Sequence, residues 1–72
     1  MSKKVLHVEG MMCNNCANHV REALEKVAGV SSVDVDLVAK TATVTLAADV
    51  ADDILKNAVI EEDYEVTGIE AA

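Results

Sequence analysis

The sequence has almost no aromatic residues and no proline. Among its 72 residues there is no Trp and no Phe, and Tyr64 is the one aromatic side chain. Hydrophobic residues make up 51% of the chain, but nearly all of them are aliphatic. We therefore expect a slim aliphatic core without the aromatic-lined pocket that usually binds an organic substrate. This composition argues against a small-molecule enzyme, and we predict that the protein is not an enzyme.

Positive charge is also scarce, with six Lys and Arg residues against 13 Asp and Glu and a net charge of −7. Nucleic acids and anionic membranes attract basic surfaces, so we predict that the protein binds neither. No hydrophobic run approaches the ~20 residues that span a bilayer. The first residues also lack the apolar core of a signal peptide. We expect a soluble, cytoplasmic protein without direct membrane insertion, in a compartment where thiols stay reduced.

The hydrophobic pattern predicts six elements in the order βαββαβ. Alternating apolar residues predict strands around Leu6 and Val8, from Val33 to Leu37, from Ala42 to Leu46, and from Tyr64 to Ile69. Two helical stripes lie between them, formed by Val20, Leu24 and Val27 and by Ile54, Leu55, Ala58 and Val59. This order favours a ferredoxin-like α+β sandwich, in which two helices cover one face of a four-stranded antiparallel sheet.

The ends of the elements are predicted from residue preferences. Asn14 or Asn15 is expected to cap the first helix, and Asp49 or Asp52 the second. Gly29 is the expected stop after the first helix. We predict one domain over residues 1–72, with an ordered core at about 3–69 and a short tail, Glu70–Ala72.

The only two cysteines form a Cys-x-x-Cys pair at the junction of the first strand and the first helix. Cys16 falls in the first helical turn, where free backbone N–H groups and the helix dipole favour a thiolate. Cys13 lies on the preceding loop and can turn its sulfur towards the same point. Two thiolates suit a soft ion that accepts low coordination, and Cu(I) fits best.

Three other interpretations of the pair remain open at this point. A structural disulfide would close a very short loop and is disfavoured in the cytosol. A thioredoxin-type redox pair relies on a cis-proline, and this chain has no proline. Zinc normally takes four ligands, so a Zn(II) site, the less favoured cofactor, would need help from a carboxylate or histidine.

The run Gly10-Met11-Met12-Cys13-Asn14-Asn15-Cys16 resembles the Gly-Met-x-Cys-x-x-Cys signature of the heavy-metal-associated domain family. The resemblance extends to Leu6–Glu9, Ala28–Val30 and Tyr64–Val66. The family comprises CopZ-like and other small copper chaperones and the metal-binding domains of heavy-metal P-type ATPases. It implies that Cys13 and Cys16 are the metal ligands.

The resemblance also implies roles for the neighbours of the two cysteines. Met11 would be buried beneath the loop as a support, and Tyr64 would lie beside the metal and shield it. Met12 occupies an exposed, variable position where relatives that export zinc carry an acidic residue, so its lack of charge favours copper. His19, one turn after Cys16, is either a solvated helix residue or an accessory group.

Together, the residues and the resemblance predict a copper chaperone. It would bind Cu(I) through the two thiolates and pass it to a copper-transporting P-type ATPase by ligand exchange. A copper-bridged homodimer is a second expected partnership, because self-association also gathers three or more sulfurs. The alternatives are a metal-binding or regulatory domain of a heavy-metal P-type ATPase, or a homologue that binds Zn(II), Cd(II) or Hg(II).

Overall fold

The computed structural model describes residues 2–72 and contains the six elements in the predicted order. The strands form one antiparallel sheet in the order β2-β3-β1-β4. The ferredoxin-like prediction is therefore confirmed. The elements are β1 (Ser2–Glu9), α1 (Asn14–Glu25), β2 (Val30–Asp36), β3 (Thr41–Leu46), α2 (Asp52–Ile60) and β4 (Glu65–Ala71).

The core lies between the two helices and one face of the sheet. Because side chains alternate along a strand, β1 and β3 each turn every second residue inward. Each helix contributes residues four positions apart, which share one face. The residues at most 1% exposed are Leu6, Val8, Val20, Leu24, Ala42, Val44, Leu46, Leu55 and Val59. His7 lies on the other face of β1, with its Nε2 atom 3.6 Å from Oε1 of Glu70.

The helix starts differ from the predicted caps. Cys13 is the N-cap of α1 and Ala51 is the N-cap of α2, and neither helix has a side-chain cap hydrogen bond. The asparagines that favour caps by residue type lie one and two positions inside α1 instead. In α2, Asp52 is the first helical residue. Residue preference identified both helix starts to within a few positions but chose the wrong capping residue.

The first helix ends earlier than its apolar stripe suggests. Val27 lies beyond α1, where its N–H donates to the carbonyl of Leu24 at 3.1 Å in a tight final turn. Gly29 then turns the chain with a φ of 95°. A Cβ atom at this glycine would lie 2.8 Å from Cγ2 of Val50, so a side chain cannot fit without displacement.

Three further details correct the prediction. Leu37 lies outside β2, because the carboxylate of Asp36 accepts hydrogen bonds from the N–H groups of Val38 and Ala39 at 2.9 and 3.1 Å and turns the chain. Tyr64 directly precedes β4. Ile54 is 52% exposed although it belongs to the predicted apolar stripe of α2.

The predicted C-terminal tail is part of the sheet. Glu70 and Ala71 pair with Val5 and Lys4 of β1, and the N–H of Ala72 donates to the carbonyl of Lys3 at 2.9 Å. Pairing with a central strand overrides the weak strand signal of these residues. Both ends of the described chain therefore meet at the end of the sheet opposite the cysteines. No helix within residues 2–72 is long and apolar enough to cross a membrane.

Candidate metal site

The loop between β1 and α1 leaves the sheet through a glycine that packs against a tyrosine. Gly10 has a φ of 100°, in the left-handed region that favours glycine. A Cβ atom at this position would lie 3.2 Å from the Cδ1 atom of the Tyr64 ring. The glycine thus lets the backbone of this loop lie close to the loop between α2 and β4.

The two methionines that follow point to different environments. Met11 is 6% exposed and belongs to the core cluster, so its thioether side chain holds the loop from below. Met12 is 91% exposed. This contrast anchors the loop at one residue and leaves the next side chain free in solvent, directly before the first cysteine.

The two cysteines converge at the start of α1. Cys13 has an extended backbone, with φ −153° and ψ 170°, and its carbonyl accepts the N–H of Ala17 at 3.1 Å, which opens the helix. Cys16 lies in the first turn, so the two sulfur atoms are 3.3 Å apart. Both thiols are free; Cys13 is exposed and Cys16 is half-buried. The result is a pair of donor atoms at the surface.

The surroundings of Cys16 favour its ionised form. The Tyr64 hydroxyl donates a hydrogen bond to its sulfur, and this contact, followed by that of the Cys13 thiol, lowers the pKa of Cys16 to about 7 from the ordinary 9.0. The backbone N–H of Met12 contributes in the same direction. The same contact with Cys16 raises the pKa of Tyr64 to about 12. The tyrosine therefore stays protonated and serves as a donor to a thiolate.

No third ligand completes the pair within the part of the chain that the structure describes. In residues 2–72, no three Cys, His, Asp or Glu side chains are grouped closely enough to hold a metal ion. His19 lines a groove between α1 and α2. The site offers two sulfurs and open access from solvent.

Residue patterns located the cysteines but not all the groups around them. The contact between Gly10 and the Tyr64 ring, and the backbone N–H groups that face the Cys16 sulfur, depend on how two loops meet. A glycine directly after a strand was the one available signal, because it often marks a close approach of backbone to another group.

The chain matches the model of the heavy-metal-associated domain over residues 5–65. Among curated relatives, it is 38% identical over 69 residues to the copper chaperone CopZ of Staphylococcus aureus (strain JH9), covering 92% of this chain and 98% of that protein. It is 40% identical over 62 residues to the mercuric reductase of Shigella flexneri, covering 86% of this chain but 11% of the reductase. Matches to some other staphylococcal CopZ proteins span about half of their length, 54% for that of Staphylococcus haemolyticus.

Solved structures agree with the sequence matches. A CopZ metallochaperone superposes with a TM-score of 0.86 at 36% identity, covering 92% of this chain and all of the other. A copper binding domain from HMA7, a P-type ATPase, gives a TM-score of 0.84 at 31% identity, covering 100% of this chain and 95% of that one. Because the family model matches residues 5–65, most of this chain, the chain belongs to the heavy-metal-associated domain family.

Proposed function

We propose that this protein is a cytoplasmic copper carrier that binds one Cu(I) ion between the sulfurs of Cys13 and Cys16 and gives it to a partner protein. The observation that carries the proposal is the pair of free, surface-accessible thiols 3.3 Å apart. Cu(I) is the common biological ion that two thiolates satisfy, whereas Zn(II) normally takes four ligands. The likeness to CopZ proteins supports copper as the cargo.

Binding begins with the loss of thiol protons. Because the pKa of Cys16 is about 7, this residue supplies a thiolate at neutral pH, and Cys13 loses its proton as the metal binds. The Tyr64 hydroxyl then serves as a hydrogen-bond donor to the Cys16 sulfur, and Met11 holds the loop from the core. Met12 and His19 would be accessory groups at most.

Transfer follows from the open coordination of the site. A thiolate of the partner adds to the two-coordinate ion, and the three-sulfur intermediate then loses one sulfur of this chain, so copper is never free. The oxidation state stays Cu(I) throughout, and no chemical bond of the protein is made or broken beyond metal–sulfur exchange. We propose a copper-transporting P-type ATPase as the recipient, since the fold is shared with copper-binding ATPase domains. A second copy of this chain could donate the third sulfur in a copper-bridged homodimer.

A second candidate function is a metal-binding domain of a larger protein. The match to mercuric reductase covers 11% of that enzyme. The TM-score with the copper binding domain of an ATPase, 0.84, is close to the 0.86 obtained with the CopZ metallochaperone. In the first case Hg(II), which also accepts two thiolates, would replace copper as the cargo. The same cysteines would serve in both.

An anaerobic competition experiment tests the site and identifies its cargo. Cu(I), Zn(II) and Hg(II) would each be titrated into the reduced protein against a chromophoric chelator, with Cys13→Ala and Cys16→Ala as test variants. Asn15→Ala, between the cysteines, is the matched control. We expect tight Cu(I) binding at one ion per chain, lost in both cysteine variants and kept in the control. Tighter binding of Zn(II) than of Cu(I) would reject the copper proposal, and binding of Hg(II) without binding of Cu(I) would favour the mercuric reductase case of the second candidate. Copper binding that survives both cysteine variants would reject the site.

A further inference from the structure

A groove of about 460 Å³ runs between α1 and α2 and is open to solvent. The residues that line it recur every three or four positions along both helices and the turns directly after them, as expected where two helices present facing stripes. One end lies near the cysteines, because His19 is one turn after Cys16 and Glu62 is two residues before Tyr64. The other end lies between Val27 and Ile54.

The half-buried lining residues, Ala23, Val27 and Ala58, form the floor of the groove and are all small or aliphatic. Ala23 and Ala58 are half-buried, and their size lets a third helix approach closely. Ile54 is 52% exposed and faces the same groove. Covering this side chain with an apolar partner would remove its exposed surface from water. The floor therefore favours an apolar helical stripe as its occupant.

The charged residues on the rim of the groove are mostly acidic, and His19 and Asn57 add uncharged polar groups there. Glu22, Glu61 and Glu62 line it, and Lys26 is the one Lys or Arg among its lining residues. A second copy of this chain is a poor occupant, because its 13 Asp and Glu residues against six Lys and Arg would bring like charge to the rim. A helix with Lys or Arg on its flanks would bring opposite charge.

We propose that the groove between α1 and α2 docks an amphipathic helix of a partner protein, with an apolar stripe on the floor and Lys or Arg against the acidic rim. The docked helix would place the partner next to Cys16 without contacting either sulfur. The inference rests on the proposed function only in taking this partner to be the protein that receives the metal. The groove's shape and charge do not depend on copper.

The test uses the reduced, metal-free protein and a synthetic helix-forming peptide with Leu and Ala on one face and Lys on both flanks. A twin peptide with Glu in place of Lys is the charge control. We expect saturable binding of the Lys peptide alone, with amide NMR shifts confined to α1, α2 and the groove-lining turns that directly follow them. The apparent Kd should rise with salt, because the rim charges are exposed.

Two matched pairs of variants separate the groove from the rest of the surface. Ile54→Ser should weaken peptide binding about fivefold, whereas Ile60→Ser, on the same helix at 44% exposure but outside the groove, should leave it unchanged. Glu61→Gln with Glu62→Gln should weaken it several-fold and flatten the salt dependence. Glu25→Gln with Glu70→Gln removes the same charge away from the groove, and it should change neither the peptide affinity nor its salt dependence.

Equal effects of Ile54→Ser and Ile60→Ser, equal binding of the two peptides, or shifts mainly outside the two helices and the turns that follow them would overturn the docking proposal. Its failure is distinct from that of the carrier function. A peptide that docks on a protein whose cysteines bind no copper would leave the groove assignment intact and reject the carrier. Copper binding without peptide docking would reject the groove assignment and leave the carrier function intact.

Discussion

The two helices begin in opposite electrostatic settings. The first turn of α2 contains two carboxylates, Asp52 and Asp53, and Lys4 bonds both Asp52 and the carbonyl of Val50 just before the helix. The first turn of α1 contains no acidic residue. Its free N–H groups and the positive end of its dipole are therefore available to the Cys16 thiolate. One helix start is neutralised by the chain's own carboxylates, and the other is left for a sulfur anion.

The largest expected effect is the loss of metal binding when the sulfur at the open helix start is replaced. Cys16→Ser should lower the affinity for Cu(I) by more than about a hundredfold, because a ligand atom matters more than the supporting groups whose loss costs ~10–100-fold. Asp52→Asn, at the neutralised helix start, should leave it unchanged. Competition with a chromophoric Cu(I) chelator measures both, and equal affinities of the two variants would contradict the comparison.

Tyr64→Phe tests the hydrogen bond that helps ionise Cys16. In a Cys13→Ser background, which leaves one thiol to alkylate, the substitution should move the midpoint of the pH profile for alkylation upwards, towards the ordinary 9.0. A lowered pKa in the folded state also makes folding release a proton. The contribution of Cys16 to stability should be complete above pH 9 and be lost as the pH falls towards 7.

Denaturant unfolding across this pH range checks the second expectation, with the Tyr64→Phe protein as the comparison. Its free energy of unfolding should vary less with pH between 7 and 9 than that of the unmodified chain. An alkylation profile that does not move in the variant would remove Tyr64 from the account of Cys16.

Lys4→Met tests the neutralised helix start. Loss of its bonds to Asp52 and the Val50 carbonyl should lower the free energy of unfolding by about 1 kcal/mol, since the ammonium is only partly exposed and bonds two acceptors. Lys3→Met, one residue earlier on the opposite face of β1, is the matched control and should change little. Chemical denaturation gives both values. A Cu(I) affinity changed by Lys4→Met would show that the two helix starts are not independent.

The smallest effect is expected from a carboxylate placed at the open helix start. Asn14→Asp should stabilise α1 by about 0.3–1 kcal/mol through the helix dipole, while its negative charge raises the pKa of Cys16. Asn18→Asp, one turn further along the helix, should stabilise α1 less and raise the pKa of Cys16 less. Thermal unfolding and the alkylation profile report the two changes separately, and a carboxylate that lowered the pKa of Cys16 would contradict this interpretation.

The order of the elements was predictable because alternation and helical spacing are local signals. Leu6 and Val8 identify a strand, and Val20 and Leu24 identify a helix face, without knowledge of what they contact. Glu70 and Ala71 carry no such pattern, and only their pairing with β1 makes them a strand. Ile54 has the right spacing for the core but lies at the edge of the α2 stripe, where exposure depends on how the helices pack.

The candidate site was predictable in part for the same reason. The spacing of Cys13 and Cys16 and their place at a helix start suffice to bring two sulfurs together. Tyr64 lies far along the chain, and its position beside the cysteines was expected from family resemblance alone. Its contact with Gly10 and its hydrogen bond to Cys16 depend on the meeting of two loops, which no local pattern encodes.

The pairing of Ala72 with Lys3 has a practical consequence for attaching this domain to anything else. The first and last described strands run side by side. A tether fused at either end therefore leaves the molecule at the end of the sheet opposite the thiols. The domain can be immobilised, or joined in series with further copies, with its sulfur pair facing outward in each case. The loop that carries Cys13 then stays accessible whichever end carries the attachment.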